Sequence, residues 1–184
     1  MEGAEIFGFD NFARPGSEVN RLRLREAGVK VSHADVRLPS DVDELPAADW
    51  LIDAAANPSV LAGTESHGSS RQVVENNLGG TINLLEYCKR HHAGCILLST
   101  SRVYSIPPLA ALTVGAVNGA YRPVDEQQWP AGLTAAGVSE AFSTEPPLSL
   151  YGSTKLASEY LALEYGEAFG CPLLCHVRLS RRFG

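Results

Sequence analysis

The chain carries the stretch Tyr151-Gly-Ser-Thr-Lys155 at the start of a run that ends at Gly170. A helix from Ser149 to Phe169 is predicted, because a glycine commonly terminates a helix. On a helix, a tyrosine and a lysine four residues apart lie one turn over each other. The ammonium favours the phenolate, so the pair has the geometry of a general acid/base site. Chance can produce the same spacing, and a second motif is needed.

The second motif lies upstream, in the stretch Cys95-Ile-Leu-Leu-Ser-Thr100-Ser101-Arg-Val-Tyr104. A short apolar run that breaks into hydroxyl residues is typical of a buried strand. In open parallel sheets, ligands bind at the carboxyl ends of the strands, so the hydroxyl groups are expected to face a site.

Together the two motifs resemble the extended short-chain dehydrogenase/reductase family, specifically its NAD-dependent sugar-nucleotide epimerases and dehydratases. The resemblance implies an α/β fold with a Rossmann-like doubly wound parallel sheet. It also implies that Thr100, Tyr151 and Lys155 are the catalytic residues. Ser99, with Tyr151 and Lys155, is expected to contact the cofactor, and Ser101 and Arg102 the substrate.

Composition describes an ordinary soluble protein. The 184 residues suffice for one domain, with 45% hydrophobic and 20% charged residues. A net charge of -6 argues against a nucleic-acid partner. No apolar run has membrane-spanning length and no signal peptide opens the chain, so we expect a cytoplasmic protein. The four cysteines lack zinc-site spacing; they are expected to be reduced and buried, with no metal site.

The first strand, from Ala4 to Phe9, is followed by acidic and basic residues that suit a cofactor. An acidic residue at a strand end of a Rossmann unit accepts hydrogen bonds from the adenosine ribose, and Asp10, followed by Asn11, fits that role. Its carboxylate would repel a 2′-phosphate, which favours NAD over NADP, whereas Arg14 points the other way. A simple turn at residues 10–11 is the alternative.

The second strand, from Val29 to Ala34, runs into Asp35 and Val36. The resemblance implies that this segment lies against the adenine, with Asp35 contacting the amino group of the ring. A surface strand end is the alternative.

The third strand begins at Trp50 and leads into Ala54, Ala55 and Ala56, whose small side chains let a cofactor approach the backbone. The resembling family has a histidine where this chain has Asp53.

A helix is predicted from about Arg71 to Arg90, and its stretch from Asn76 to Glu86 resembles the family motif Asn-Val-x-Gly-Thr-x-Asn-Leu-Leu-Glu. The resemblance implies that Asn77 bends this helix and supports the cofactor and active site. Gly79 and Gly80 each cost about 1 kcal/mol in a helix relative to alanine, so a close approach to a strand is expected there.

The segment from about 105 to 139 shows no firm periodicity. Long connections in compact domains are often functional loops, and in the resembling family this insert covers the substrate. Tyr121, Arg122 and Trp129 are candidates for stacking and phosphate contacts. A surface loop without a role is the alternative.

The resemblance runs from about residue 4 to 178 and begins at the family's second strand. The family's first strand, its glycine-rich turn and the following helix have no counterpart, and neither has the C-terminal substrate domain. Because the first strand occupies the centre of such a sheet, strands 2 and 3 are expected to be unpaired from the others, with open edges. We therefore expect a fragment of a longer enzyme, with a misplaced start codon.

The function implied by the resemblance is NAD-dependent epimerisation of a nucleotide sugar. The residues around Asp10, Thr100 and the insert are most similar to members that act on C2 of a CDP-sugar. A UDP-sugar 4-epimerase, a dehydratase or a ketone reductase shares the same triad, although Ser101-Arg102 replaces the acidic pair usual in dehydratases. A non-catalytic Rossmann remnant is the competing interpretation. A homodimer built on the helices at Arg71 and Ser149 is also expected.

Overall fold

The computed structural model describes residues 3–58 and 69–176. In chain order, strands and helices alternate as the α/β prediction requires. The first part of the chain contains β1 (Phe7–Asp10), α1 (Ser17–Glu26), β2 (Lys30–His33), α2 (Pro39–Asp43) and β3 (Trp50–Asp53). The second part contains α3 (Ser70–Val74), a π-helical turn (Glu75–Gly79), α4 (Gly80–His91), β4 (Gly94–Leu98), α5 (Ile106–Ala110), β5 (Val114–Val117), β6 (Ala120–Pro123), β7 (Leu133–Thr134), β8 (Gly137–Val138), α6 (Leu150–Phe169) and β9 (Leu173–His176).

Five of these strands form two separate parallel sheets. β1 pairs with β2, and β3, β4 and β9 form the second sheet in the order β3-β4-β9. Within the described ranges no strand joins β1 to β3, so the expected split of the sheet is observed. The inner edges of the two sheets are open.

One face of the larger sheet is covered by helices α4 and α6. Alternation along β3 buries Leu51 and Asp53 and leaves Trp50 and Ile52 47% and 62% exposed. The buried core joins sheet and helix side chains: Val42, Leu51, Leu84, Leu85, Tyr87, Cys88, Ala93, Cys95, Leu97 and Ala162. The described part of the chain therefore has two layers rather than the three of a complete doubly wound sheet.

The predicted helix over 71–90 is divided. A π-helical turn separates α3 from α4 and contains the fully buried Asn77. A methyl group on Gly80 would lie 2.7 Å from Val36 Cγ2, so close packing explains this glycine, although Val36 follows β2 rather than lying in it. Gly79 has no contact of this kind, and the prediction is wrong for Gly79.

The insert over 105–139 is ordered rather than irregular. It contains α5 and two antiparallel hairpins, β5-β6 and β7-β8. A second apolar cluster holds it against the start of α6: Val103, Tyr104, Leu133 and Phe142, with Leu109, Leu112, Trp129, Val138 and Leu156 packed around them. The hairpin strands are only two to four residues long, too short to give a clear pattern in the sequence.

Helix α6 has the ends that the sequence predicts. Ser149 caps its N-terminus by accepting a hydrogen bond from the Gly152 N–H, and Gly170 ends it in the left-handed conformation. Strand β9 follows as expected, and Val177, also predicted in that strand, lies outside the described residues.

The described residues also bear on the cysteines, on metal ligation and on membrane spans. Cys88 and Cys95 are buried free thiols, whereas Cys171 is only half-buried, contrary to expectation. Groups of side chains suited to a metal ion are absent from residues 3–58 and 69–176. No helix in those residues combines the length and the apolar character needed to cross a membrane.

Candidate active site

The N-terminus of α6 packs directly on the segment that follows β4. A methyl group on Gly152 would lie 2.1 Å from the carbonyl oxygen of Arg102, so only glycine permits this approach. The backbone of Tyr151, the preceding residue, is thereby held beside the segment that begins with Thr100. The sequence contains this constraint, since the glycine follows the tyrosine in the motif.

Thr100 terminates the extended segment after β4. Its side chain accepts a hydrogen bond of 3.2 Å from the Arg102 N–H and caps the short 3₁₀ turn Ser101–Val103. Thr100 and Ser101 are half-buried and Arg102 is exposed. The predicted hydroxyl residues therefore lie at the surface of a strand end, where a substrate can reach them.

Lys155 is buried in the protein, with 2% of its surface exposed, whereas Tyr151 is half-buried. The two residues lie one turn apart on α6, as predicted. The same helix contacts β4 a second time, where the Ser99 hydroxyl donates a hydrogen bond to the Glu159 carboxylate. The segment from Ser99 to Arg102 thus runs along the α6 residues from Glu159 back to Gly152, and Lys155 lies between these two contacts on the helix.

Asn77 connects this helix with the loop after β3. Its side-chain oxygen accepts a hydrogen bond of 2.7 Å from the Asn57 N–H, and its amide group donates to the Asn57 carbonyl and to Thr154 Oγ1. Its own carbonyl oxygen accepts from the hydroxyl of Ser158. The π-helical turn directs Asn77 inward, so that one residue joins β3, α4 and α6.

Asp53, which stands where the resembling family has a histidine, has a defined role in the structure. It is 1% exposed and accepts hydrogen bonds from the Thr81 hydroxyl at 2.7 Å and from the Ala55 N–H at 3.1 Å. Thr81 also donates to the carbonyl of Asn77. Asp53 therefore holds the alanine-rich loop in register with α4.

A groove of about 2150 Å³ separates the two sheets. The groove is lined by seven of the predicted cofactor-binding residues: Asp10, Asn11, Arg14, Val36, Ala54, Ala55 and Ala56. Ser99, Thr100, Tyr151, Lys155, Asp35 and Asn77 do not line it. The structure thus divides the predicted site into a groove part and a part on β4 and α6. The groove is larger than the roughly 300–1,000 Å³ of a typical ligand pocket, because two open sheet edges border it.

Asp35 is occupied by neighbouring side chains. Arg37 donates to its carboxylate through Nε and through Nη2, the latter at 2.5 Å, and Asn11 donates at 3.0 Å. The hydrogen bond from Arg37 holds the pKa of this carboxyl far below its usual range. An adenine amino group would have to compete with these donors for the Asp35 carboxylate.

Asp10 and Asn11 form the turn that was predicted as the alternative to a ribose contact. Its Oδ1 accepts a hydrogen bond of 2.6 Å from the Phe12 N–H, and Asn11 Oδ1 accepts one of 3.1 Å from the Ala13 N–H. Asp10 nevertheless remains exposed at the groove, with its second carboxylate oxygen in no other hydrogen bond among the described residues. The turn and the ribose contact are therefore compatible.

The groove wall fits the adenosine part of NAD. Asp10 provides an exposed carboxylate, and residues 54–56 provide a wall of small side chains. The side-chain oxygen of Asn76 is buried at this wall and has no hydrogen-bond partner among the described residues. A buried amide oxygen without a partner is costly, and a ligand hydroxyl or amino group would satisfy it.

Three residues of the candidate site were not predicted from the sequence: Asn76, Arg37 and Glu159. The predicted contacts of the insert with a nucleotide were overestimated. The spacing of Glu159, four residues after Lys155, was the available signal for that residue. Trp129 packs into the second cluster and donates from its indole N–H to the Asp125 carbonyl, so it is not free to stack on a nucleotide. Tyr121, by contrast, is 82% exposed on β6.

These features define a class: an α/β fold of parallel strands in which a tyrosine and a lysine, one helical turn apart, lie beside a strand end that carries hydroxyl groups. The chain matches the NAD dependent epimerase/dehydratase family over residues 2–184, and it belongs to that family. The family resemblance and the partial Rossmann fold expected from the sequence are confirmed. The family's enzymes use NAD, so the predicted cofactor is confirmed at the level of the family.

Relatives with known activities differ in their substrates. The chain is 28% identical over 173 residues to CDP-paratose 2-epimerase of Salmonella typhi. The matched region covers 92% of this chain and 48% of that relative. It is 28% identical over 180 residues to UDP-glucuronate 4-epimerase 2 of Arabidopsis thaliana, covering 93% of this chain and 35% of the relative. The chain spans about half, or less, of the length of these relatives.

A solved structure shows the same fold. The UDP-Glc/GlcNAc 4-epimerase of Campylobacter jejuni superposes with a TM-score of 0.66 at 21% identity, over 93% of this chain and 45% of that chain. At this identity the similarity concerns the fold alone.

Proposed function

We propose that this chain supplies the NAD-binding fold and the catalytic residues of a nucleotide-sugar epimerase. The observation that carries the proposal is the packing of α6 on the end of β4, with Gly152 against the Arg102 carbonyl. This packing sets Tyr151 beside the segment that carries Thr100. The family match over nearly the whole chain supports the same function.

The chain's own residues suit an acid/base mechanism. Tyr151 takes a proton from a sugar hydroxyl, and the buried ammonium of Lys155 lies one helical turn away. Thr100 orients the sugar hydroxyl, while Asp10 and Ala54–Ala56 hold the adenosine end of the cofactor. NAD, when bound, supplies hydride acceptance and donation at the sugar carbon. Tyr151 returns the proton to complete the reaction.

The proposed substrate is a CDP-sugar, with the reaction at C2. The similarity to a protein named CDP-paratose 2-epimerase supports this choice. UDP-sugars are the second candidate, because the Arabidopsis relative is a UDP-glucuronate 4-epimerase of equal identity. Dehydration is disfavoured because Ser101 and Arg102 follow Thr100 in place of the acidic pair usual in dehydratases.

A binding module without turnover is the second candidate function. The separation of the two sheets favours it, because an open groove positions a cofactor less firmly than a closed sheet would. The difference between the two candidates is chemical turnover rather than cofactor binding.

Turnover of nucleotide sugars tests the proposal. The purified chain is incubated with NAD and with CDP- or UDP-sugars, and epimers are resolved by chromatography. We expect epimerisation that Tyr151→Phe abolishes and that Tyr160→Phe, an exposed tyrosine on the same helix, leaves intact. NAD binding without turnover of any sugar would select the binding module instead.

We further propose a homodimer formed through α3, α4 and α6. The support is a set of exposed apolar side chains on these helices: Val74 at 39%, Ile82 at 36%, Tyr160 at 59% and Leu163 at 55%. Light scattering of the wild-type chain at micromolar concentration is expected to give twice the chain mass. The Leu163→Asp variant is expected to give the mass of one chain. Leu22→Asp, at an exposed position of α1, is the matched control. A monomeric wild-type chain would contradict the proposal.

A further inference from the structure

Glu159 extends the stripe of candidate catalytic residues on α6. Tyr151, Lys155 and Glu159 are spaced by four residues, so they lie on one side of the helix. The Ser99 hydroxyl donates a hydrogen bond to Glu159 Oε1, which ties the end of β4 to this stripe. Glu159 is half-buried, although it is a charged residue.

The electrostatic surroundings of Glu159 centre on Lys155. Among the described residues Lys155 is in no ion pair, although only 2% of its surface is exposed. A buried ammonium is costly without a compensating negative charge. Burial raises the pKa of Glu159, while the Ser99 hydroxyl and the Lys155 charge act in the opposite direction. Glu159 lies one helical turn from Lys155 on α6, and the Lys155 charge acts on it without a close ion pair between them.

One more titratable group faces Glu159. Burial raises the pKa of Tyr104, and the charges of Glu140 and Glu159 raise it further. Tyr104 follows the 3₁₀ turn after Thr100, so it belongs to the element that packs on α6. The charged and titratable groups around Glu159 are thus Lys155 on its own helix and Tyr104 on the facing segment.

We propose that Glu159 is a positioning residue of the active site, which anchors the β4 end through Ser99 and supplies the negative charge opposite Lys155. The description of Lys155 as catalytic rests on the proposed function, whereas the contact between the two elements does not. The ionised Glu159 offsets part of the charge of Lys155, which lies between it and Tyr151 on the helix.

Urea unfolding as a function of pH tests the ionisation of Glu159 and does not require enzymatic turnover. A carboxyl group whose folded pKa is raised contributes stability that is complete below its unfolded pKa and lost as the pH rises through the folded value. We expect the wild-type urea midpoint to contain such a fall above pH 4.5, the ordinary value for this group. Glu159→Gln keeps the volume and a hydrogen-bond acceptor, and we expect it to lack this fall. Glu164→Gln, an exposed position on the same helix, is expected to follow the wild type.

Lys155→Met distinguishes the proposed pair from a merely buried carboxyl. Loss of the ammonium raises the folded pKa of Glu159 further, so the fall in the midpoint is expected to extend to higher pH. The double variant Lys155→Met with Glu159→Gln is expected to show no fall in the midpoint. Parallel wild-type and Glu159→Gln curves, or a Lys155→Met curve with an unchanged pH range, would overturn the proposal. If Glu159→Gln does not fold, the comparison of Lys155→Met with the wild type still decides it.

The pH profile of turnover gives a second, separate result. Glu159→Gln is expected to shift the acid limb of the epimerase profile to lower pH by roughly half a unit, because a negative charge near the base is removed. Ser99→Ala removes the hydrogen bond that lowers the pKa of Glu159, so it is expected to move the limb in the same direction as Glu159→Gln but by less. An unmoved limb in an active Glu159→Gln variant would contradict the role. Absence of turnover in every variant would refute the proposed function, while the unfolding series would still decide the contact.

Discussion

Asn77 shows how one buried side chain joins three elements. Replacement by alanine removes two hydrogen bonds to the Asn57 backbone and one to Thr154. We expect Asn77→Ala to lower the free energy of unfolding by about 2–3 kcal/mol, because buried polar groups lose their partners. Chemical denaturation measures this change. Asn76→Ala, at the neighbouring position, is the control and should cost clearly less; equal losses would show that the Asn77 bonds are not responsible.

Tyr165 and Glu86 connect α6 and α4 at the end away from the candidate site. The Tyr165 hydroxyl donates a hydrogen bond of 2.6 Å to Glu86, which raises the pKa of Tyr165 to about 12. Since this value exceeds the unfolded value of about 10, the contribution is complete below pH 10 and is lost as the pH rises through 12.

We therefore expect Tyr165→Phe to destabilise the chain by about 1 kcal/mol at pH 7, with the difference from wild type disappearing between pH 10 and 12. Thermal unfolding across this range measures it. Tyr160→Phe, at an exposed position, serves as the control. A difference that persisted unchanged at pH 12 would rule out the hydrogen bond as its source.

At the scale of elements, two adjacent glycines make a matched pair. A methyl group on Gly80 would lie 2.7 Å from Val36 Cγ2, whereas at Gly79 the nearest atom would be 3.9 Å away. Alanine favours a helix by about 1 kcal/mol over glycine. We expect Gly79→Ala to be neutral or stabilising and Gly80→Ala to be destabilising by about 1–3 kcal/mol. Denaturation midpoints in the opposite order would contradict the packing of α4 on the turn after β2.

The elements differ in how far the sequence predicts them. Helix α6 begins and ends within a residue of its predicted bounds, because Ser149 and Gly170 are local signals at its two ends. The hairpins of the insert could not be predicted, since Leu133 and Phe142 become a core only when distant segments meet. The pairing of Asp35 with Arg37 was equally hidden, because it depends on side-chain conformation.

At the scale of the molecule, the two sheets should differ in local stability. The β1-β2 sheet has two strands, whereas the β3-β4-β9 sheet has three and is covered by α4 and α6. A two-stranded sheet is marginal by itself. We expect backbone amides of β1 to exchange with solvent at least tenfold faster than those of β4, as measured by hydrogen exchange. Equal protection would indicate that the groove between the sheets is closed in solution.

The same separation of sheets leaves the candidate site in two parts. The residues on β4 and α6 are fixed by packing, whereas Asp10 lies on the smaller sheet across the groove. The residues of both parts lie on the elements that the sequence predicted for them, at strand ends and on one helix. The distance between the two parts depends on the groove between the sheets, and no local sequence pattern predicts that groove.

Calorimetric titration of NAD into the purified chain tests the central claim most directly, namely that the groove and the α6 stripe form one cofactor site. We predict binding in the micromolar range, about -8 kcal/mol, which Asp10→Ala and Lys155→Met each weaken. Lys89→Met, at a half-buried ion pair with Glu86 outside the candidate site, should leave the NAD affinity unchanged. A folded chain that shows no NAD binding would contradict the claim.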